Sequence, residues 1–367
     1  PHRPKQEHRP PQVNETMNAA LQIVVAASTA ERRDLFLSAA TRVGATLEYI
    51  EKDFWVCWTL DALFNGLGDG PRLLFKGGTS LSKAFNLISR FSEDIDITVF
   101  RDDLGEGGGV ADLEALSNNQ RQAKLDAIKL ACQHYIADAL IPQLRALVNG
   151  AMAAGSVAAG RFSVEPDAGD PDAQSVLFSY PAVGGGAVNA YVQASVRIES
   201  GAKSALDPNE TRVIRPYISE DLPHLDLRVA NVTTVLPGRT FWDKVMILHG
   251  LRQWYEQKAA LRHGGQRVSR HYYDVYSMLQ APEAEGWTND HALAEDCRKH
   301  ADLFFGNAAL GLDKAKPGLF TLAPSEPMRD ALDGDYTAMQ GMIFGAVPRL
   351  QDVLEHVVRL ETRLNAG

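Results

Sequence analysis

Residues 75–83, Phe75-Lys76-Gly77-Gly78-Thr79-Ser80-Leu81-Ser82-Lys83, and residues 93–98, Glu93-Asp94-Ile95-Asp96-Ile97-Thr98, decide how this chain is read. Arg72 to Phe75 is a short apolar run that reads as a buried strand stopping at the two glycines. Thr79 to Ile88 sets Leu81, Ala84, Phe85 and Ile88 at helical spacing. Asp94 to Phe100 then alternates Ile95, Ile97 and Val99 against Asp94, Asp96 and Thr98, so a strand sends both carboxylates to one face and the isoleucines to the core. The local order is strand, turn, helix, strand.

Each half of this run has a plain reading beside a chemical one. Two glycines are enough for a tight strand-to-helix turn, and they also let backbone N–H groups approach a phosphate at the positive end of a helix. The GxxxxGK[ST] order of a P-loop is absent, so this is a different kind of turn. An Asp-x-Asp pair on a strand suits a solvated edge. It equally suits a bridging divalent cation, since Mg²⁺ typically takes one or two carboxylates together with substrate phosphate oxygens. The acids follow the glycine turn by one short helix, which would bring phosphate cradle and metal ligands to one sheet edge.

Outward from this run, Met17 to Phe64 is helical by spacing, while Pro1 to about Thr16 is polar, Pro- and His-rich and expected to be a disordered leader. Asn118 to Val148 reads as one long amphipathic helix. Phe162 to Val164, Ser175 to Tyr180 and Ala190 to Ile198 read as strands, and Arg212 to Pro237 as a transition. Helices follow at Thr240 to Leu261, Ser269 to Leu279, Asn289 to Phe305 and Arg349 to Leu364. The expected organisation is an α/β lobe over 17–235 and a helical lobe over 236–367. The 367 residues are 45% hydrophobic and 23% charged, as in a globular domain, and no apolar run approaches the length of a membrane span. Cys57, Cys132 and Cys297 are scattered, which argues against a disulfide framework or zinc site and for a cytoplasmic protein. A net charge of −9 leaves only local basic surface for nucleic acid.

The two quoted stretches, extended to Arg90-Phe91-Ser92 before the acids, closely resemble the AbiEii/AbiGii-type nucleotidyltransferase toxins. Glu51-Lys52-Asp53-Phe54-Trp55-Val56 is similar to that family's N-terminal helix, and Phe241-Trp242-Asp243-Lys244 and Tyr272-Tyr273-Asp274-Val275 to its two later motifs. The resemblance implies an α+β fold: a polymerase-β-like nucleotidyltransferase lobe with a mixed sheet flanked by helices, plus a C-terminal helical lobe. It assigns Asp94 and Asp96 to Mg²⁺ in a two-metal site, Gly77, Gly78, Ser80 and Lys83 to the phosphates of an NTP, and Lys244 and Asp274 to completing the catalytic site. From the residues alone, Lys244 is as readily an exposed helix charge, and Asp274 a surface partner of Arg270 at i, i+4.

Glu199, closing Val196-Arg197-Ile198, is the candidate third metal carboxylate. Ser92 beside the acids is read as a turn hydroxyl; the resemblance also implies a nucleotide-site serine open to phosphorylation, which would repel the carboxylates. Arg252, Lys258, Arg262, His263, Arg267, Arg270 and His271 are interleaved with Trp254, Tyr255, Tyr272 and Tyr273, a composition suiting either a solvated basic helix face or an RNA end. The function expected from the resemblance is NMP transfer from an NTP to an RNA acceptor, at the tRNA 3′ end, blocking translation, with a cognate antitoxin as partner. The same site would permit transfer to a protein hydroxyl or a small molecule, and a catalytically inactive nucleotide-binding module is the non-enzymatic alternative.

Overall fold

A computed structural model describes residues 17–153, 162–184, 193–265 and 267–366. The expected leader, and the start of the strand expected from Ala190, lie outside the described residues. Three capped helices open the chain: α1 (Ala19–Ala26) behind Asn18, α2 (Thr29–Val43) behind a Ser28/Glu31 capping box, and α3 (Leu47–Asp61) behind Thr46. Helix α3 is buried on all sides and carries Phe54, Trp55 and Trp58 into the core.

Strand β1 (Leu73–Lys76) runs straight into α4 (Gly77–Lys83), and β2 (Asp94–Val99) returns antiparallel to it. The helix expected from Thr79 to Ile88 is shorter at its end, because Asn86 adopts a left-handed conformation and turns the chain out of the helix. Further along lie α5 (Val110–Glu114), α6 (Asn118–Tyr135) and α7 (Ile141–Ala153). The expected single helix over this stretch is interrupted by a π turn at Ile136–Leu140, just before Pro142, which has no N–H for the regular ladder. Strands β3 (Ser163–Pro166), β4 (Ser175–Ser179) and β5 (Ser195–Glu199) follow.

The stretch read as a transition from Arg212 takes in the end of one strand, β6 (Asn209–Ile214), and the whole of another, β7 (Val229–Val235), the latter rich in Val and Thr. The remaining helices are α8 (Pro237–Lys258), α9 (Ser269–Met278), α10 (Ala284–Asn289), α11 (His291–Phe305), α12 (Glu326–Met339) and α13 (Leu350–Asn365), of which α10 and α12 were not anticipated. The described strands form one sheet in the order β3-β4-β5-β2-β1-β7-β6, mixed because β2 with β5 and β1 with β7 are parallel. The protein is therefore α+β, a mixed sheet flanked by helices with further helices at the C-terminal end.

Alternation along the central strands divides the molecule. Leu73, Phe75, Ile95 and Ile97 enter a core with α1, α3, α6 and α7, while Lys76, Asp94 and Asp96 belong to the opposite face. A second core joins α8, α9, α12 and α13, and Leu81 and Ile88 from the glycine-turn region are part of it. Leu303 and Phe304 of α11 go the other way and join the sheet's core. Among the described residues no helix is long and apolar enough to cross a membrane.

Candidate active site

Gly77 is fixed as glycine twice over. Its φ of +78° is left-handed, and a Cβ there would lie 2.0 Å from Asp96 Oδ2. A Cβ on Gly78 would fall 2.5 Å from the Arg90 guanidinium and 3.1 Å from Ser92 Oγ. The turn thus packs its bare backbone against the acids and their basic neighbour. Across the sheet, Lys76 is in register with Asp96, and Asp96 in turn with Glu199 of β5. Register neighbours point their side chains the same way, so Asp94, Asp96 and Glu199 form one acidic edge.

Burial first, and then the like charge of Glu93, raises the Asp94 pKa; burial, Asp96 and Asp94 in that order raise that of Glu199. Basic groups answer part of this charge. Arg267 reaches Asp94 Oδ2 at 3.2 Å and Glu93 at 2.8 Å, Lys52 holds the other Glu93 oxygen at 2.7 Å, and Arg197 holds Glu199 at 2.8 Å.

The facing wall is built by α8 and α9. Lys244 Nζ meets Asp274 Oδ2 at 2.7 Å, and Arg90 forks onto the same carboxylate at 2.6 and 2.8 Å. All three side chains are buried, and Asp274 is fully so. Burial opposes the Asp274 charge, but Arg90 and Lys244 overcome it and hold this carboxyl far below the usual range. Burial, with Arg90 and Arg270 adding to it, depresses the Lys244 pKa against the pull of Asp274. His271 is driven well below its ordinary value by burial and then by Lys244 and Arg270, so it is neutral, and its Nδ1 has no hydrogen-bond partner among the described residues.

Between the walls lies a cavity of about 530 Å³. Lys76, Gly77, Gly78, Arg90, Ser92, Asp94, Asp96, Glu199, Asp243, Lys244, Arg270 and His271 line its polar part. A second cavity of about 770 Å³ shares Asp94, Glu199, Arg262, Arg270 and His271 with it and adds Lys52, Arg197 and Arg267. Ser92 Oγ is 2.8 Å from the hydroxyl of Thr79, which also bonds the Asp94 carbonyl and so ties the helix to the acid strand.

Most of the sequence candidates meet in this cavity, and three take other positions. Ser80 is fully buried and donates to the Gly77 carbonyl at 2.9 Å, so its hydroxyl closes the turn from inside. The Lys83 side chain is 7% exposed, paired with Asp53 of α3 and 4.0 Å above the Tyr217 ring, so at the last turn of so short a helix it points to α3 and not to the helix's own N-terminus. Asp274 stands behind the wall with Arg90 and Lys244, in place of the surface pair with Arg270 that its spacing allows. In the basic segment, Tyr272 and Tyr273 are core residues, Arg252 pairs with Glu256, and Arg262 stacks on Trp254 at 5.3 Å. The side chain of His263 lies outside the described residues.

Arg90, Lys76, Arg270 and His271 were not singled out for this site from sequence. Arg90 stood inside the quoted run, but its partner lies 184 residues further along the chain.

Among the described residues no group of three or more His, Cys, Asp or Glu side chains is gathered closely enough to hold a metal ion unaided. Glu199 is drawn toward Arg197. The donor set nevertheless fits Mg²⁺ in its usual nucleotide-site form, with two carboxylates supplied by protein and the remaining ligands by phosphate and water. Asp94 and Asp96 are the pair that fits, and a cation would relieve their mutual repulsion.

No curated protein matches the chain. Solved structures similar to it include the MenT4 nucleotidyltransferase toxin of Mycobacterium tuberculosis H37Rv, at 16% identity and a TM-score of 0.48 over 93% of this chain and 94% of that one. The family model described as nucleotidyl transferase AbiEii toxin, type IV toxin–antitoxin system, matches residues 58–356, a span that takes in the glycine turn, the acidic edge and the facing wall. The chain belongs to the AbiEii nucleotidyltransferase toxin family.

Proposed function

We propose that this protein transfers a nucleoside monophosphate from an NTP to the 3′ hydroxyl of an RNA, at the acceptor end of tRNA, releasing pyrophosphate and so blocking translation. One observation carries the reading: a single cavity has a wall where Asp94, Asp96 and Glu199 outnumber Lys76, facing a wall where Arg90, Lys244 and Arg270 outnumber Asp243 and Asp274. Nucleotidyl transfer needs both, one to hold cations and one to take up the charge of the leaving pyrophosphate.

Asp94 and Asp96 would hold the Mg²⁺, with Glu199 as the third carboxylate. The cation supplies a lowered pKa for the acceptor hydroxyl and charge neutralisation at the triphosphate. Lys244, Arg90 and Arg270 steady the β- and γ-phosphates, with Gly77 and Gly78 offering close backbone approach. Asp274 acts through its partners, fixing the Lys244 ammonium and the Arg90 guanidinium so that they are aimed before substrate arrives. The second cavity, with Arg197, Arg262, Arg267 and Arg270 beside Asp94, suits the phosphate backbone of the acceptor. The protein works in the cytoplasm, under a cognate antitoxin.

The test is incubation of purified protein with Mg²⁺, each labelled NTP in turn and total cellular RNA. Label in tRNA-sized bands that disappears in Asp96→Ala is the expected result. Label in protein, or in no product, overturns the RNA acceptor.

A further inference from the structure

The cavity has an end that phosphate chemistry does not use. Away from the acids it continues between α8 and α11, where Met246, Leu310, Ala301 and Phe305 line it together with His300. Charge gathers at one end and apolar surface at the other, which is the polarity of a nucleotide: phosphates for the first, a base for the second.

Two side chains of α11 give this apolar end specific character. Phe305 is 53% exposed, and its ring centroid lies 5.9 Å from that of His300. His300 is only 5% exposed and stacks on Phe304 at 4.3 Å with 15° between the rings. Its Nε2 is buried and has no hydrogen-bond partner among the described residues, while the Lys203 backbone lies close enough to raise the ring's pKa slightly against burial. Buried polar atoms are normally satisfied, so an unpaired one in a residue that lines the cavity is a point that a small shift of the wall opens to a ligand. Burial, with Arg239 and Arg101 adding to it, lowers the His300 pKa to about 3, so the ring is a neutral donor–acceptor throughout the working range of pH.

We propose that the α8–α11 end of the cavity is the nucleobase subsite, with Phe305 stacking on the base and His300 hydrogen-bonding its edge, and that this pair sets which NTP the protein uses. A flat exposed aromatic accepts any base, since every base has a π face. A single buried hydrogen-bonding atom discriminates, because a base that cannot satisfy it leaves it unpaired. The subsite rests on the nucleotidyl-transfer reading and deepens it: it assigns nucleotide choice to α11, a segment outside the motifs that carry phosphate and metal chemistry.

Calorimetric titration of the full chain with ATP, GTP, CTP, UTP and base-less ribose 5-triphosphate separates the two ideas. Wild-type protein is expected to bind at least one NTP about ten-fold or more tighter than ribose 5-triphosphate, the scale of one aromatic stack. Phe305→Ala should collapse that gap and leave ribose 5-triphosphate binding unchanged, and Ala301→Phe, which fills the end without removing an interaction, should do the same. His300→Gln, checked for folding by its thermal melt, should reorder the four NTPs. An NTP preference kept in both Phe305→Ala and Ala301→Phe, or a wild type that binds no NTP better than ribose 5-triphosphate, overturns the subsite while leaving nucleotidyl transfer standing. A wild type that binds neither NTP nor ribose 5-triphosphate overturns both.

Discussion

The two walls of the cavity treat charge in opposite ways. In the wall of α8 and α9, Asp274 is fully buried and bonded by two cations, Arg90 and Lys244, and its pKa is depressed. In the sheet wall, Asp94 and Glu199 have raised pKa values, their partners, the exposed Arg267 and the half-buried Arg197, offsetting only part of the burial and like-charge repulsion. A satisfied cluster holds geometry, whereas an unsatisfied one holds binding energy in reserve. The difference separates residues that position others from residues that await a ligand, although all of them are charged and close to one cavity.

Asp274→Asn tests this contrast most severely. It strands Arg90 and Lys244 as buried, uncompensated cations, and breaking a buried pair in this way costs about 3–5 kcal/mol. Denaturant unfolding should show that loss, and transfer activity should vanish with it. Asp96→Asn should do the reverse: turnover falls by roughly two to three orders of magnitude, about 3–4 kcal/mol in the transition state, with an unfolding midpoint equal to or above wild type. A matching stability loss in Asp96→Asn would erase the distinction between the walls.

The contrast extends to pH through Glu51, buried on α3, where it accepts from Val183 N at 3.1 and 3.2 Å. Burial raises its pKa from 4.5 to about 7, against Arg32 and the Val183 bond. The folded state therefore binds this proton more tightly than the unfolded state. Its contribution is complete below pH 4.5 and is lost as the pH rises to about 7. Asp274 has the opposite sign, with stability present above 3.8 and lost only as the pH falls through its lower folded value. Glu51→Gln should flatten the decline of stability between pH 4.5 and 7 by about 2–3 kcal/mol. Chemical unfolding at a series of pH values measures this, and an unchanged slope would show that the burial of Glu51 is not felt.

Millimolar Mg²⁺ should raise the melting temperature of wild type by a few degrees, on the order of 1 kcal/mol, and leave Asp94→Asn unmoved. Equal shifts in both proteins would place the ion elsewhere. The smallest effect belongs to Arg267→Ala. Its exposed ion pairs contribute about 0–1 kcal/mol to stability, and the variant should melt like wild type yet bind Mg²⁺ slightly more tightly, because a competing cation has left Asp94.

Legibility from sequence followed range along the chain. Gly77-Gly78 and Asp94-Ile95-Asp96 could be read because a turn and a period-two alternation are local. Ser80 and Lys83 stand in the same motif, but Ser80 turns back onto the Gly77 carbonyl and Lys83 reaches Asp53 of α3, a partner 30 residues earlier in the chain. Strand β7 was passed over as a transition, although its Val- and Thr-rich stretch pairs with β1 and completes the centre of the sheet. Glu199, the weakest of the carboxylate candidates, stands in register with Asp96.

The sequence by itself determined the turn, the paired acids and the family, because backbone sterics and the two-residue strand period act on neighbours whatever the rest of the chain does. Only the tertiary structure decided which charges are compensated and which are not. Arg90 and Asp274 are 184 residues apart, and Asp96 and Glu199 sit on strands that no short connection joins. Charge–charge energies depend on distance and burial in space and not on separation along the chain, so the division of labour between the two walls exists only once the helices have closed over the sheet.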